Sequence, residues 1–484
     1  MDKKQAQILI EDTFNDSFSE EKFIRFSQEI LNDIDFSHGR NWSTLIYEDF
    51  ADKISKFKRV GLYIDPEGNE LEVLIVEVKK FEMLERARTS LRNFVIKWLQ
   101  SDNNKSKSRD YGLVAFYSRE DEGIDWRFSF IKVEQISFMD EGKGKVKTKK
   151  EFTPAKRYSF LVGKYEKTHT AKNQLLPLLQ NIANNPTIEE LESAFSVEKV
   201  TDEFFNQYKD LYIKLYEHFE NDRQVKAAID TAGIDNNRFT KKLLGQIVFL
   251  YFLQKKGWLG VAQNERWGAG DKRFIQHLFD HAKVKGVNFF KDNLQYLFYE
   301  ALAKERDNAK SYYKRFDCRI PFLNGGLFEA DYDWKKANIS IPEGLFRNEE
   351  KNKSGDIGTG VLDVFDRYNF TIKEDEPLDK EVAVDPEMLG KVFENMLDIT
   401  ERKSKGAFYT PREIVHYMCQ ESLIHYLDNA LNSGISTFQE LGSDQLKLFG
   451  GITNKKGNLK LEIEHSDNVR VPKTDIETFI REGH

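Results

Sequence analysis

The stretch Leu71-Glu72-Val73-Leu74-Ile75-Val76-Glu77-Val78-Lys79 constrains this chain more than any other. Its aliphatic residues fall on both parities, which suits a strand buried on both faces and leaves no polar stripe for an amphipathic helix. Just upstream, Asp65-Pro66-Glu67-Gly68-Asn69 separates this run from a second apolar run, Arg59 to Ile64. Proline, glycine and asparagine packed between two such runs make a turn, so the spacing predicts a hairpin. An amphipathic helix is expected before it, over Glu20 to Leu31. After it, a long helix over Glu82 to Gln100 would carry Leu84, Ala87, Leu91, Phe94, Val95 and Trp98 on one face. Strand-like runs at Gly112 to Tyr117 and Trp126 to Val133 complete an α/β module that ends near Gly163.

From about Thr170 to Asp385 the pattern is mainly helical, and Leu243 to Lys256 is its most apolar segment. That segment is too short for a membrane span and is flanked by lysines, which suits an internal helix. The N-terminus carries no apolar signal sequence, and Cys318 and Cys419 alone cannot build a disulfide framework or a four-cysteine zinc site. A cytoplasmic protein with reduced thiols and no membrane association is the expectation. The 484 residues call for two to four domains, and 40% hydrophobic with 32% charged residues indicates a globular chain. The formal charge of −7 makes any nucleic-acid contact a matter of local patches, such as the lysines and arginine between Gly142 and Arg157. His277 and His281 have chelating spacing but lack the glutamate of a zinc protease motif. There is no phosphate-binding GxxxxGK[ST] loop.

The chemistry concentrates at the end of the apolar strand. Glu77 and Lys79 are two residues apart and share a face, whereas Glu72 has the opposite parity. Asp65 stands at the end of the preceding strand, with eleven residues between it and Glu77. Two carboxylates can hold Mg²⁺ through oxygen ligands, and a lysine can assist the attacking water and stabilise charge on a phosphate. Arg86, Arg88 and Arg92 on the following helix, with Lys147, Lys149 and Lys150 further on, are candidates for backbone phosphates of double-stranded DNA. These residues resemble the PD-(D/E)XK nuclease superfamily, in which one acid and an ExK strand share a divalent metal. The resemblance assigns Asp65 and Glu77 to Mg²⁺ and Lys79 to the water. Because proline follows Asp65 where the family name places it before, Glu72 or an acid of the first helix such as Glu29 is an alternative first ligand.

A second stretch, Gly406-Ala407-Phe408-Tyr409-Thr410-Pro411, precedes a well-signalled helix start. Thr410 is a good N-cap, Pro411 suits the first helical position, and Glu413 completes a capping box. This stretch closely resembles the motif conventionally numbered ten of adenine-specific DNA N6-methyltransferases, whose loop lines the S-adenosylmethionine site. Segments PFLNGGLF at Pro321, DPEMLGKVFENML at Asp385 and FLYFLQKKGWLG at Phe249 look like parts of the same proteins. The whole resembles bifunctional type II restriction-modification enzymes of the IIG or IIL kind. That resemblance implies a PD-(D/E)XK-like α/β nuclease domain over 1–165, a helical connector over 166–385, and the beginning of a Rossmann-like methyltransferase domain over 386–484. The catalytic (N/D)PP(Y/F) motif that follows in that family is not found before His484. The resemblance therefore implies either a truncated enzyme or one half of a split one, the latter with a separate chain supplying the rest of the methyltransferase and the target-recognition domain. The rival expectation is a non-catalytic DNA-binding or scaffold subunit in which the ExK strand is structural.

Overall fold

In the computed structural model, the described residues are 1–101, 109–133, 137–140, 145–148, 155–181, 185–306, 311–323, 325–372, 379–395, 412–432, 439–440 and 469–482. At 85–86, 137–140, 145–148, 391, 393–395, 412–413, 439–440, 469–470 and 482 the description covers the backbone alone. Residues 1–396 form one compact unit and residues 397–484 another.

The first unit opens with α1 (Lys3–Phe14) and α2 (Glu20–Leu31), each started by a side chain that accepts from the first turn: Asp2 from the Gln5 N–H and Ser19 from the Lys22 N–H. Two short strands, β1 (Ile34–Asp35) and β2 (Arg40–Asn41), pair with β3 (Ile54–Ile64). The expected hairpin is present: β3 turns at Asp65 to Asn69 and runs antiparallel to β4 (Glu70–Val78). After α3 (Glu82–Arg86) and α4 (Arg88–Gln100), β5 (Tyr111–Ser118) lies parallel to β4. Then β6 (Asp125–Lys132) returns antiparallel. A separate hairpin of β7 (Ser137–Asp140) and β8 (Lys145–Thr148) follows, and β9 (Lys156–Gly163) pairs with β6.

The helix expected over Glu82 to Gln100 is broken. Ala87 leaves helical geometry at φ −102° and ψ 24°, and the Leu84 carbonyl at the break accepts a hydrogen bond from Arg127 Nε at 3.0 Å. The interruption thus supplies an acceptor to a buried guanidinium that would otherwise lose a partner.

Helices α5 (His169–Gln180), α6 (Ile188–Ser193), α7 (Val197–Asn221), α8 (Arg223–Thr231), α9 (Asn236–Lys255) and α10 (Phe274–Lys285) follow. Two π-helical turns, Phe289–Leu294 and Leu297–Leu302, lead to a small hairpin of β10 (Tyr312–Tyr313) and β11 (Cys318–Arg319). Beyond α11 (Glu343–Phe346) and α12 (Val361–Phe365), β12 (Asp379–Glu381) adds to the first sheet beside β9 in parallel register, before α13 (Pro386–Asn395). The eight-stranded sheet thus runs β1-β3-β4-β5-β6-β9-β12, with β2 also on β3.

Each face of the sheet has its own core. Leu74, Val76 and Val78 pack with Leu91, Phe94, Val95 and Trp98 of α4. Leu71, Val73 and Ile75 face Phe14, Phe23 and Phe26 of α1 and α2, in a core continuous with Phe204, Leu244, Ile247 and Phe365 of the later helices. The boundary expected near residue 165 therefore separates no two cores. Helices after it share apolar contacts with the module before it, and a strand more than 200 residues downstream of β9 completes the sheet. Among the described residues no helix is long and apolar enough to cross a membrane.

In the second unit, helix Arg412–Asn432 packs with helix Lys473–Glu482. The Asn432 amide holds both backbone groups of Val471, donating to its carbonyl at 3.0 Å and accepting from its N–H at 2.9 Å. The segment Gly406, Ala407, Phe408, Tyr409, Thr410 and Pro411 lies outside the described residues.

Candidate functional site

The hairpin register decides where the sequence-derived residues sit. Ile64 pairs with Glu70 and Lys56 with Glu77. Seven residues of β4 therefore lie between the Asp65 end of the hairpin and Glu77, roughly 20 Å at about 3.3 Å per residue. Asp65 and Glu77 cannot share a metal ion, which corrects the expectation that they do. A tight turn places a residue opposite one equally far past it, so a carboxylate beside the turn is the residue furthest from the strand's other end.

Asp65 has a different task. Its Oδ1 accepts from the N–H groups of Glu67 at 2.9 Å and Asn69 at 2.7 Å. Its Oδ2 accepts from Asn69 Nδ2 at 2.9 Å and from the Ile188 N–H of α6 at 3.0 Å. Burial pushes its carboxyl up, but these hydrogen bonds outweigh that and hold it below the usual aspartate range. Asp65 closes the turn and ties it to α6.

Glu77 is 4% exposed. Its Oε1 accepts from Ser55 Oγ at 2.8 Å and its Oε2 from Tyr117 OH at 2.7 Å, while Lys56 Nζ stands 3.4 Å from Oε2. Burial raises its pKa, and Tyr117, Ser55 and Lys56 together overcome that and lower it, so the group is an ionised carboxylate at neutral pH. Tyr117 comes from β5, in direct register with Glu77, and Phe18 stacks on its ring at 4.2 Å. Burial first, and the bond to Glu77 second, raise the phenol's pKa. Lys79 follows the strand end: its N–H donates to the Lys53 carbonyl at 2.8 Å and its side chain is exposed.

The alternative acids fare no better than Asp65. Glu72 is fully buried on the opposite face, paired with Arg109 Nη1 at 2.6 Å and accepting from Trp98 Nε1 at 2.6 Å. Glu29 is exposed on α2. The acid of that helix that approaches the Glu77 cluster is Glu20, which pairs with Lys58 and adds to the rise in Tyr117's pKa. Glu20 also lines a shallow depression with Glu21, Ile24, Arg25 and Gln28. Past the end of β5, Glu120 accepts from the Phe81 N–H at 2.8 Å. Ser55, Lys56, Tyr117 and Glu20 are members of this cluster that sequence reasoning missed. Counting back from the turn comes within one residue of Lys56, at Phe57, because the strand pair shifts register between Arg59 and Gly61.

A Mg²⁺ site of two convergent carboxylates is not what these residues make. Both oxygens of Glu77 are engaged, one beside an ammonium that repels a dication, and the described residues hold no group of three acidic, histidine or cysteine side chains able to bind a metal.

The arginines expected to meet phosphates also need correction. Arg88 Nη2 donates to Asp379 Oδ1 at 2.9 Å, and both Arg88 and Arg92 are buried. Arg157, from the lysine-rich segment, is fully buried and binds Asp379 Oδ2 at 2.7 Å, while Arg127 Nη1 binds Glu381 Oε2 at 2.8 Å. These guanidiniums face inward because β12 brings two carboxylates into the interior, and a buried carboxylate demands a paired cation. The side chains of Arg86, Lys147, Lys149 and Lys150 lie outside the described residues.

No family model matches the chain, and no solved structure matches it. In an alignment 328 positions long that covers 59% of the chain, it is 25% identical to a provisionally named type II restriction enzyme and methyltransferase of Methanocaldococcus jannaschii. The match spans 25% of that protein's length.

Proposed function

We propose that this chain is part of a restriction-modification protein that acts on double-stranded DNA, and that phosphodiester hydrolysis takes place where β4 ends in Glu77 and Lys79. The observation that carries the reading is a buried carboxylate kept ionised by Ser55, Tyr117 and Lys56, next to an exposed lysine two residues on. The likeness to a restriction enzyme and methyltransferase supports the same choice. With Lys56 displaced, Glu77 Oε2 would take the proton of a water whose oxygen attacks the phosphorus, Lys79 would hold the phosphate oxygens as negative charge grows on them, and the departing sugar oxygen would take a proton from solvent water. Because Asp65 and Glu77 do not converge, no step is assigned to Mg²⁺. The segment Gly406 to Pro411 would contribute to an S-adenosylmethionine site together with the remaining motifs of an adenine-specific methyltransferase, carried on a further segment or a partner chain.

Nicking of supercoiled plasmid tests the proposal, with Mg²⁺ or EDTA present and with or without S-adenosylmethionine. Glu77→Ala and Lys79→Ala should each abolish nicking by chains that remain folded, with Lys79→Ala leaving the melting curve in place, and nicking that survives both substitutions removes the assignment. One observation favours a second reading, a DNA-binding subunit without nuclease activity: Lys56 occupies the position opposite Glu77. A wild-type chain that binds duplex and never nicks it, even with its methyltransferase partner added, decides for that reading.

A further inference from the structure

Past α9 the chain makes a compact loop whose backbone has little freedom. The N–H groups of Gly268 and Gly270 both donate to the Gly257 carbonyl, at 3.0 and 2.9 Å, and Asp271 N–H donates to the Leu259 carbonyl at 2.9 Å. Gly257 has φ +68°, and a Cβ there would stand 2.2 Å from the Gly268 carbonyl oxygen. A Cβ on Gly270 would stand 2.3 Å from that of Leu259. Only glycine lets these strands of the loop touch. The Arg319 N–H donates to the Val261 carbonyl at 2.7 Å and pins the loop to β11.

This rigid frame displays cations and an aromatic ring. Arg266, Lys272 and Arg273 are exposed, and their side chains make no hydrogen bond or ion pair among the described residues. Trp267 is 40% exposed, with the Arg319 guanidinium 4.3 Å from its ring centre. Lys256 lies 3.9 Å from the ring of Trp258. Of the local acids, Asp271 is taken up by the Arg273 N–H at 2.8 Å and by His277 Nδ1 at 2.6 Å, leaving Glu265 exposed. A part-exposed tryptophan on a rigid loop that also carries three exposed cations suits a polyanion that offers flat or apolar surface as well.

The loop also lies at the right end of the molecule. Lys272 is near enough to Asp125, the first residue of β6, to favour its ionised form. The next residue, Trp126, is the register partner of Tyr117, which holds Glu77. We propose that the loop from Gly257 to Arg273 grips the backbone of duplex DNA, taking phosphates on Arg266, Lys272 and Arg273 and an adjacent deoxyribose on Trp267. The proposal rests on the reading of the chain as a DNA-acting protein and adds the surface that binds.

Fluorescence anisotropy of a labelled duplex, titrated with the full chain over a range of salt, tests it. Combined Arg266→Ala, Lys272→Ala and Arg273→Ala should weaken binding by about tenfold or more and reduce the slope of log Kd against log salt by about 2–3, near 0.9 for each phosphate no longer neutralised. Trp267→Ala should weaken binding about fivefold with the salt slope unchanged. Lys283→Ala with Lys285→Ala, at the far end of α10, lowers the net charge without touching the loop and should leave both quantities nearly as they were. A triple variant that melts like the wild type and keeps its affinity and slope overturns the proposal, as does a charge control that loses as much. The nicking assay separates this outcome from the nuclease reading. Loop variants that bind poorly when the wild type does not nick uphold the grip alone, and normal binding by loop variants of a nicking enzyme removes the grip alone. A wild type that binds no duplex removes both.

Discussion

The carboxylates of Asp379 and Glu381 on β12 and that of Glu77 on β4 belong to one sheet, yet they are held in opposite ways. The first two are closed in by three buried guanidiniums, from Arg88, Arg127 and Arg157. Glu77 is held by two hydroxyls and by a half-exposed lysine at the looser distance of 3.4 Å, and the chain continues directly into the exposed Lys79. A fully enclosed ion pair can fix a strand in place but cannot meet a substrate. A carboxylate whose cation reaches solvent can exchange that partner for another. The charge that looks strongest is the structural one, and the less completely paired charge is the better candidate for chemistry.

Breaking the enclosed cluster should have the largest effect. Asp379→Ala leaves Arg88 and Arg157 buried without their carboxylate and should cost about 3–5 kcal/mol in thermal or denaturant unfolding of the full chain. Replacing the pair together by Arg157→Met and Asp379→Leu should cost less than Asp379→Ala, because it leaves one buried cation, Arg88, without its carboxylate where Asp379→Ala leaves two. If the single and double variants are equally destabilised, the cluster is not an enclosed pair and the contrast with Glu77 falls.

Asp65→Ala comes next. It removes an acceptor of four hydrogen bonds at the hairpin turn and should cost about 1–3 kcal/mol. Nicking per folded molecule should not change, since the turn is at the far end of β4 from Glu77. Loss of nicking with an unaltered melting curve would return Asp65 to the active centre and undo the register argument.

These two sites also mark what could be read in the sequence. The apolar strand, the turn and the amphipathic α2 were legible because each depends on residues near one another in the chain. The partner of Glu77 was not: counting seven residues back from Ile64 reaches Phe57, and only the irregularity between Arg59 and Gly61 moves it to Lys56. What misleads is the D…ExK spacing, which counts residues along the chain when a hairpin folds that distance back on itself. The inward turn of Arg88 was not legible. Its partner Asp379 is 291 residues away, and an arginine on an amphipathic helix gives no local sign that a distant strand will deliver a carboxylate. The same distance hides the union of module and connector.

A smaller effect probes how Glu77 is held. Tyr117→Phe removes one donor and should cost about 0.5–1.5 kcal/mol at neutral pH. Glu77 has a lowered pKa in the folded chain, so its stabilising contribution is present above the ordinary glutamate pKa and fades as pH falls through the folded value. The loss caused by Tyr117→Phe should therefore shrink in acid. A penalty that stays constant from neutral pH down to the acid limb would mean that losing the hydroxyl does not act through the charge of Glu77.

Asp125 supplies the opposite sign and the smallest change. Burial, with Glu166 adding repulsion, raises its pKa to about 6 against the attraction of Lys255 and Lys272. Its Oδ1 is buried and accepts no hydrogen bond among the described residues. A raised carboxyl binds its proton more tightly in the folded chain than in the unfolded one, so stability should fall as pH rises from the ordinary aspartate value to about 6 and then level off. Asp125→Asn should remove that slope and melt slightly higher than the wild type at neutral pH. Adding the loop variant Lys272→Ala should make the wild-type Asp125 harder to ionise and move the end of the slope upward. A slope unaffected by Lys272→Ala would detach the loop from this end of the sheet, and with it the geometric link between the cationic surface and Glu77.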